Sequence, residues 1–353
     1  MFILAEVSTR LLWKEGGVDS CRVSDPIVAW RYKPYCTERM KSPESPWIDY
    51  KFNECGYRAA SSCEAKPADG LRVALLGSST SLGLMVPYED SFAALTGDIL
   101  SRQCGRPFEF QNLGAVGSEP IYAYQRVDEA LALKPDAVML AVAPFDIQQD
   151  IDPQLLAARK NPLPLRDYRS KGENASIIAH IEDWLSASRS VIVARHFLYE
   201  NQQEYLKLFL LQGDSADFLR VPFSSAWERR LSNLDLLLGE MADKVHHAGI
   251  PFVLTVIPAR AQAALLNLHD LPPGVDPYAL DRRFAEIAEK HGIIFVDSFN
   301  DFSHVLNAEA LFYPADGHLA PAGHALLSGV IARRLTGGGV PGFPTCRSAK
   351  PES

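Results

Sequence analysis

Two short stretches at opposite ends of the chain hold the residue types that nucleophilic catalysis needs. Val73-Ala74-Leu75-Leu76 runs into Gly77-Ser78-Ser79-Thr80-Ser81-Leu82-Gly83, so a serine stands where a buried strand would give way to a turn. Far downstream, Asp316-Gly317-His318 precedes a helix-period run and supplies a carboxylate and an imidazole. A serine hydroxyl is a weak nucleophile at neutral pH until a neighbouring base takes its proton, and that base needs a third group to orient it. Ser79, His318 and Asp316 are therefore candidates for nucleophile, base and orienting acid of a serine hydrolase. Each also has a plain structural reading: Ser79 as a helix-start hydroxyl, Asp316 and Gly117 as turn residues. What favours the chemical reading is their order and their placement at opposite ends of one repeating pattern.

That pattern begins at residue 71. Five short apolar runs, Leu71 to Leu76, Phe108 to Leu113, Ala137 to Ala143, Pro251 to Ile257 and Ile293 to Asp297, have the length and composition of buried parallel strands. Helix-period sequence follows at Asp90 to Ser101, Glu119 to Leu133, Trp227 to Ala248, Tyr278 to His291 and Ala320 to Leu335. Parallel strands need crossovers, so the alternation predicts an α/β fold with a doubly wound five-stranded parallel sheet. Ligands in such sheets sit beyond the carboxyl ends of the strands, the edge on which Ser79, Gly117, Asp146 and the 258 to 263 loop would fall. Residues 150–225 interrupt the pattern after the third strand as a helical insertion, with Ile177 to Leu185 and Tyr205 to Leu211 as helices hanging over the site. Leu206, Leu208, Phe209, Leu210 and Leu211 read first as packing within that insertion, and second as a face for an acyl chain or a membrane surface. Residues 1–70 form an irregular lead-in and 336–353 an unordered tail, leaving 71–335 as the main domain.

Composition removes several function classes. The chain has 353 residues, 47% hydrophobic and 22% charged, with a net charge of -8, and lacks the basic clusters that replace phosphate counterions, so nucleic acid is not an expected partner. Of the six cysteines, Cys21, Cys36, Cys55 and Cys63 crowd the lead-in while Cys104 and Cys346 lie apart. Their even number permits disulfides, free thiols are equally compatible, and no zinc spacing occurs. His246 and His247 are adjacent and would face different sides of a helix, which disfavours a shared metal. No phosphate loop, dinucleotide fingerprint, His-Glu-x-x-His or EF-hand is found, and no cofactor is implied. Asn174-Ala175-Ser176 is a glycosylation sequon by form only. The apolar start, Met1 to Trp13, holds Glu6 and Arg10 and falls short of the ~20 residues of a bilayer span. It reads as the stub of an anchor.

With these residues in place, the chain resembles the SGNH hydrolases, also called GDSL esterases, over residues 50–335, and most closely the bacterial members that carry an amino-terminal anchor. Gly77-Ser78-Ser79-Thr80-Ser81-Leu82-Gly83 is similar to the family's first block with its aspartate replaced by Ser78. Asn53-Glu54-Cys55-Gly56-Tyr57-Arg58 resembles a structural stretch upstream of the nucleophile. Asn112-Leu113-Gly114-Ala115-Val116-Gly117 is similar to the second block and implies Gly117 as a backbone donor to the oxyanion. The third block departs: Gly-x-Asn-Asp becomes Ala143-Pro144-Phe145-Asp146, so Phe145 stands where an asparagine amide should donate, with Gln148 and Gln149 as the nearest amides. Asp316-Gly317-His318 resembles the closing motif in its one-residue-spaced variant, also familiar from alginate-type O-acetyltransferases. His318 rather than His324 matches the family base, since it lies five residues before Gly323.

The resemblance implies a flavodoxin-like fold and an esterase that removes an acetyl or other short acyl group from a small-molecule, carbohydrate or lipid-like ester. Ser79 and Gly117 would supply the oxyanion donors. Two other readings remain: an O-acyltransferase acting on a glycan hydroxyl, and a binding module that has lost turnover, for which Ser78 and Phe145 are the warning signs. The resemblance to anchored members also implies the periplasm or cell envelope, while the incomplete anchor leaves the cytoplasm open; peripheral membrane contact is the second reading of the insertion's leucines. Oligomeric state is left open.

Overall fold

The lead-in is more ordered than its sequence texture implies. In a computed structural model that describes residues 2–148 and 188–346, the chain opens with helix α1 (Phe2–Leu12) and continues into two antiparallel hairpins. Strands β1 (Arg22–Asp25) and β2 (Ala29–Tyr32) form the first, and β3 (Thr37–Met40) and β4 (Ile48–Lys51) the second. Disulfides Cys21–Cys36 and Cys55–Cys63 staple this region. Its own small core of Tyr32, Ile48, Tyr50 and Phe52 packs against Leu82 and Ala115, both beside the site.

The apolar runs form the predicted sheet. Strand β5 (Leu71–Gly77) is followed by the one-turn helix α2 (Ser79–Leu82), α3 (Phe92–Cys104), β6 (Phe108–Asn112), α4 (Pro120–Gln125), α5 (Val127–Ala132) and β7 (Ala137–Val142). After the interruption come α6 (Arg189–Tyr199), α7 (Gln202–Leu210), α8 (Ser225–His247), β8 (Phe252–Val256), α9 (Arg260–Leu266), α10 (Ala279–Lys290), β9 (Ile294–Val296), α11 (Phe299–Ser303) and α12 (Pro321–Thr336). The sheet is parallel throughout, in the order β6-β5-β7-β8-β9.

Both faces of the sheet are covered, and the period of two decides which side chain goes where. Ala74 and Leu76 of β5, with Val138, Leu140 and Val142 of β7, join the core under α4, α5, α8 and α10. Val73 and Leu75, with Ala137, Met139 and Ala141, join the opposite core under α3 and α12. That is why Val73 to Leu76 and Ala137 to Val142 read as unbroken apolar runs.

Several expectations need correction. The run from Glu119 to Leu133 is two short helices, broken at Arg126, whose guanidinium turns inward to donate to the Leu113 carbonyl and to Glu129. The 258 to 263 segment is a loop only to Ala259, after which α9 begins. The tail is ordered as far as the structure describes it: Cys346 is disulfide-bonded to Cys104, and Val340 and Phe343 are buried. In the insertion, Tyr205 and Leu206 are buried, Leu208 is 38% and Leu211 80% exposed. The expected helix Ile177 to Leu185, His180, Gln149, the Asn174 sequon and the last seven residues lie outside the described residues. Among those described, no helix is long and apolar enough to cross a membrane.

Candidate active site

Ser79 owes its position to a tight exit from β5. At Gly77 the backbone takes φ +149°, and a Cβ there would lie 2.0 Å from Ser81 Oγ and 2.6 Å from the Ala141 carbonyl oxygen, so glycine alone lets the strand turn this close to β7. Ser78 is extended and buried, and Ser79 opens α2 half-exposed at the carboxyl edge of the sheet. Neighbours fix that turn from two sides. Asn112 donates its amide to the Ser81 carbonyl (2.7 Å) while its carbonyl accepts from Gly114 N–H (3.0 Å). Arg58, fully buried, donates to the carbonyls of Leu82 (2.8 Å), Gly83 (2.5 Å) and Val86 (2.8 Å) and stacks on Tyr50. Asn53 in turn accepts from the N–H groups of Cys55 and Tyr57, holding the segment that delivers Arg58.

The second half of the site is the turn between Phe312 and Leu319, which pair as an isolated bridge. Tyr313 N–H donates to the His318 carbonyl (2.8 Å) and Gly317 N–H to the Tyr313 carbonyl (2.9 Å), while the Tyr313 hydroxyl donates to the Met85 carbonyl (2.9 Å). The turn projects His318 at Ser79. Ser79 Oγ lies 2.8 Å from His318 Nε2, and His318 Nδ1 lies 2.5 Å from Asp316 Oδ1. Residues 239 positions apart in sequence thus share one hydrogen-bonded line. His324 is not part of it. It sits buried on α12 and accepts from Phe92 N–H (3.1 Å) through Nδ1, and burial together with Arg58 and His318 pushes its pKa down to about 3.

Electrostatics around His318 favour its charged form. Burial alone would lower its proton affinity, but the hydrogen bond and charge of Asp316, with the charge of Asp146, raise it above the ordinary histidine value. Burial likewise works against the Asp316 carboxylate, yet its bonds with His318 hold it below the usual range. Asp146 behaves oppositely: burial pushes it up to about 6, against the Ala143 N–H (2.7 Å) and the Ser78 hydroxyl that it accepts from. The serine at position 78, where the resembled family has aspartate, therefore faces a carboxylate supplied from the third strand's end.

Ser79, His318, Asp146, Gly117, Phe145 and Glu119 are among the residues that line one open cleft of about 210 Å³. Gly117 adopts φ +74°. Among the described residues, no protein acceptor takes the backbone N–H of Ser79 or Gly117. Phe145 is 39% exposed, its ring centroid 6.5 Å from that of His318. Gln148 donates instead to the Ser215 carbonyl (3.3 Å), so its amide is committed to the insertion.

Two neighbours of the site carried no readable signal. Glu44 lies between prolines in the lead-in, yet its side chain is 2% exposed and its carboxylate accepts from Ala315 N–H (3.0 and 3.1 Å) and Asp316 N–H (2.7 Å) while meeting His196 Nδ1 (2.5 Å). Arg260 donates to the Pro314 carbonyl (2.8 Å) and the Tyr199 carbonyl (2.5 Å). Among the described residues no cluster of three or more His, Cys, Asp or Glu could hold a metal ion.

No protein-family model and no curated protein sequence matches the chain. Comparison of structures finds relatives at low identity. A catalytic mutant of Axe2, an acetylxylan esterase from Geobacillus stearothermophilus, is 15% identical with a TM-score of 0.45, over 81% of this chain and 100% of that one. A lipase/acylhydrolase from Enterococcus faecalis is 11% identical with a TM-score of 0.39, over 79% and 99% respectively. LAE5, an alpha/beta hydrolase enzyme from the metagenome of Lake Arreo, Spain, is 15% identical with a TM-score of 0.39, over 76% and 96%. Likeness at this level says nothing of what this chain acts on.

Proposed function

We propose that the chain is a serine esterase that hydrolyses a short acyl ester at Ser79. The observation that carries this reading is the hydrogen-bonded line from Ser79 Oγ through His318 to Asp316, opening into a cleft. In this mechanism His318 Nε2 takes the Ser79 proton as Oγ attacks the ester carbonyl carbon, and Asp316 holds the imidazole by Nδ1 and stabilises the imidazolium. The carbonyl oxygen, now an oxyanion, accepts from the backbone N–H groups of Ser79 and Gly117. Collapse breaks the ester C–O bond, and His318 returns its proton to the leaving alcohol. Water, deprotonated by His318, then attacks the acyl-serine and releases the carboxylic acid with Ser79 restored.

Phe145 bears on both rate and substrate. A missing side-chain donor to the oxyanion costs about 10²–10³-fold in kcat, so turnover on unactivated esters is slow unless another group takes the place of the amide. Among the described residues the cleft is lined by the carboxylates of Glu119, Asp146 and Asp316 and by no Lys or Arg, which favours an uncharged ester over an anionic one. The three disulfides support an oxidising compartment such as the periplasm or cell envelope.

The test is turnover on p-nitrophenyl esters of increasing chain length, with wild type and Ser79→Ala. Acetate and butyrate esters are expected to be cleaved faster than octanoate, and Ser79→Ala to be inactive on all. Equal rates in Ser79→Ala would refute the assignment. Following the acyl group by mass spectrometry with a sugar acceptor present separates hydrolysis from transfer.

A further inference from the structure

The catalytic turn is held from outside by one carboxylate, and that carboxylate comes from the lead-in. Asp316 sits on a turn whose own backbone bonds, Gly317 N–H to Tyr313 and Tyr313 N–H to His318, leave the N–H groups of Ala315 and Asp316 pointing away from it. Both are taken by Glu44: Asp316 N–H by Oε2 at 2.7 Å, Ala315 N–H by both oxygens at 3.0 and 3.1 Å. Glu44 Oε1 also meets His196 Nδ1 on α6 at 2.5 Å.

A carboxylate this buried, with a side chain 2% exposed, is costly unless its lone pairs are occupied. Among the described residues every partner is either the catalytic turn or α6. No Lys or Arg ion pair competes for it among the described residues. Arg260 adds a second strut in the same sense, joining the Pro314 carbonyl of the turn to the Tyr199 carbonyl at the end of α6. Among the described residues the charged and titratable groups around the assembly are His196, Arg260, Tyr313 and Asp316 about Glu44, with Tyr50 and Tyr313 about Asp316. Glu44 and Glu200 face His196, and Asp316, Asp146 and His324 face His318.

We infer that Glu44 is a positioning residue for the proposed reaction: it fixes the backbone of Ala315 and Asp316, and through His196 it ties the aim of the Asp316 carboxylate to helix α6. Orientation at this range matters for rate, since displacing a reacting or supporting group by ~1 Å costs about 10²-fold. The lead-in is on this account part of the catalytic apparatus, and the α6 end of the insertion is mechanically joined to the acid.

The inference rests on the Ser79–His318–Asp316 reading, and the test separates the two. With p-nitrophenyl acetate, Glu44→Gln is expected to lower kcat ten- to a hundredfold with KM within twofold. The acid limb of its pH profile is expected to move down by at least half a unit, because a loosened Asp316 no longer raises the proton affinity of His318 as far. His196→Ala should lose three- to tenfold in kcat with the same direction of shift, and His196→Gln, which restores a donor, should recover most of it. A readout without turnover is the histidine NMR titration of His318 in Ser79→Ala protein, with and without Glu44→Gln. A downward shift there supports the positioning role even if no ester is found that the wild type cleaves. Unchanged kcat, pH limb and titration in Glu44→Gln would overturn it. So would an unfolded Glu44→Gln accompanied by a His196→Ala that keeps wild-type kcat and pH limb.

Discussion

His318 can take the Ser79 proton only while neutral, and the two carboxylates near it raise its hold on its own proton. Activity is therefore expected to fall as the medium is acidified, through a midpoint above the ordinary histidine value of ~6.5. Asp146→Asn, by removing one of those charges, should move the midpoint of kcat/KM to lower pH; a midpoint that stays put would show that Asp146 does not act on the imidazole. Phe145→Asn tests the oxyanion side. Placing an amide beside the cleft should raise kcat on p-nitrophenyl acetate about tenfold or more if a donor is missing, whereas a loss would mean that the ring itself serves the substrate. The serine turn and the Asp-x-His pair were legible because each is a compact local pattern. Glu44 was not, because a single glutamate between prolines acquires its meaning only from a turn some 270 residues away.

Elements set how much of this geometry survives a change in sequence. Strands β5, β7 and β8 were legible because both their faces are buried, so each reads as a largely apolar run with no competing helical period; β6 carries Glu109 and Gln111 though it is buried throughout, and β9 is half-buried at Ile294 and Phe295. The hairpins of the lead-in were not, since four-residue strands with mixed burial carry too short a pattern to rise above loop composition. The break at Arg126 was hidden as well: a buried arginine is a tertiary choice that helix period cannot announce. Gly77 shows what one element boundary is worth. Gly77→Ala would drive a methyl into Ser81 and the β7 backbone, and is expected to destabilise the fold by about 1–3 kcal/mol or more and to lower activity at temperatures where the protein remains folded. Denaturant unfolding checks the first effect; wild-type stability would mean that the β5 exit relaxes more freely than its close contacts imply.

At the scale of the molecule, distant segments are joined by covalent and charged links that sequence cannot pair. Cysteine spacing allowed many pairings, and the structure joins Cys104 at the end of α3 to Cys346, 242 positions on. In the chain-entropy picture a loop of that length is worth about 5 kcal/mol, so reduction with dithiothreitol should lower the melting temperature, and an unchanged melt would deny the bridge its role. Asp281, at the start of α10, is buried with one carboxyl oxygen lacking a partner among the described residues, and burial together with the charge of Asp297 pushes its pKa up to about 7. Because the folded state holds this proton more tightly than the unfolded chain, its contribution to stability is complete below ~3.9 and is lost as pH rises through about 7. Asp281→Asn should therefore stabilise the protein at pH 8, by up to roughly 4 kcal/mol, and hardly at all at pH 4. Equal effects at the two values would contradict that environment.

The reactivity of Ser79 itself is the point on which the rest turns. Wild-type protein treated with a fluorophosphonate and digested for peptide mass mapping should carry one adduct, on Ser79, with a labelling rate that rises with pH through the titration of His318 and collapses in His318→Ala. Labelling at another residue, or undiminished labelling in Ser79→Ala, would contradict the account.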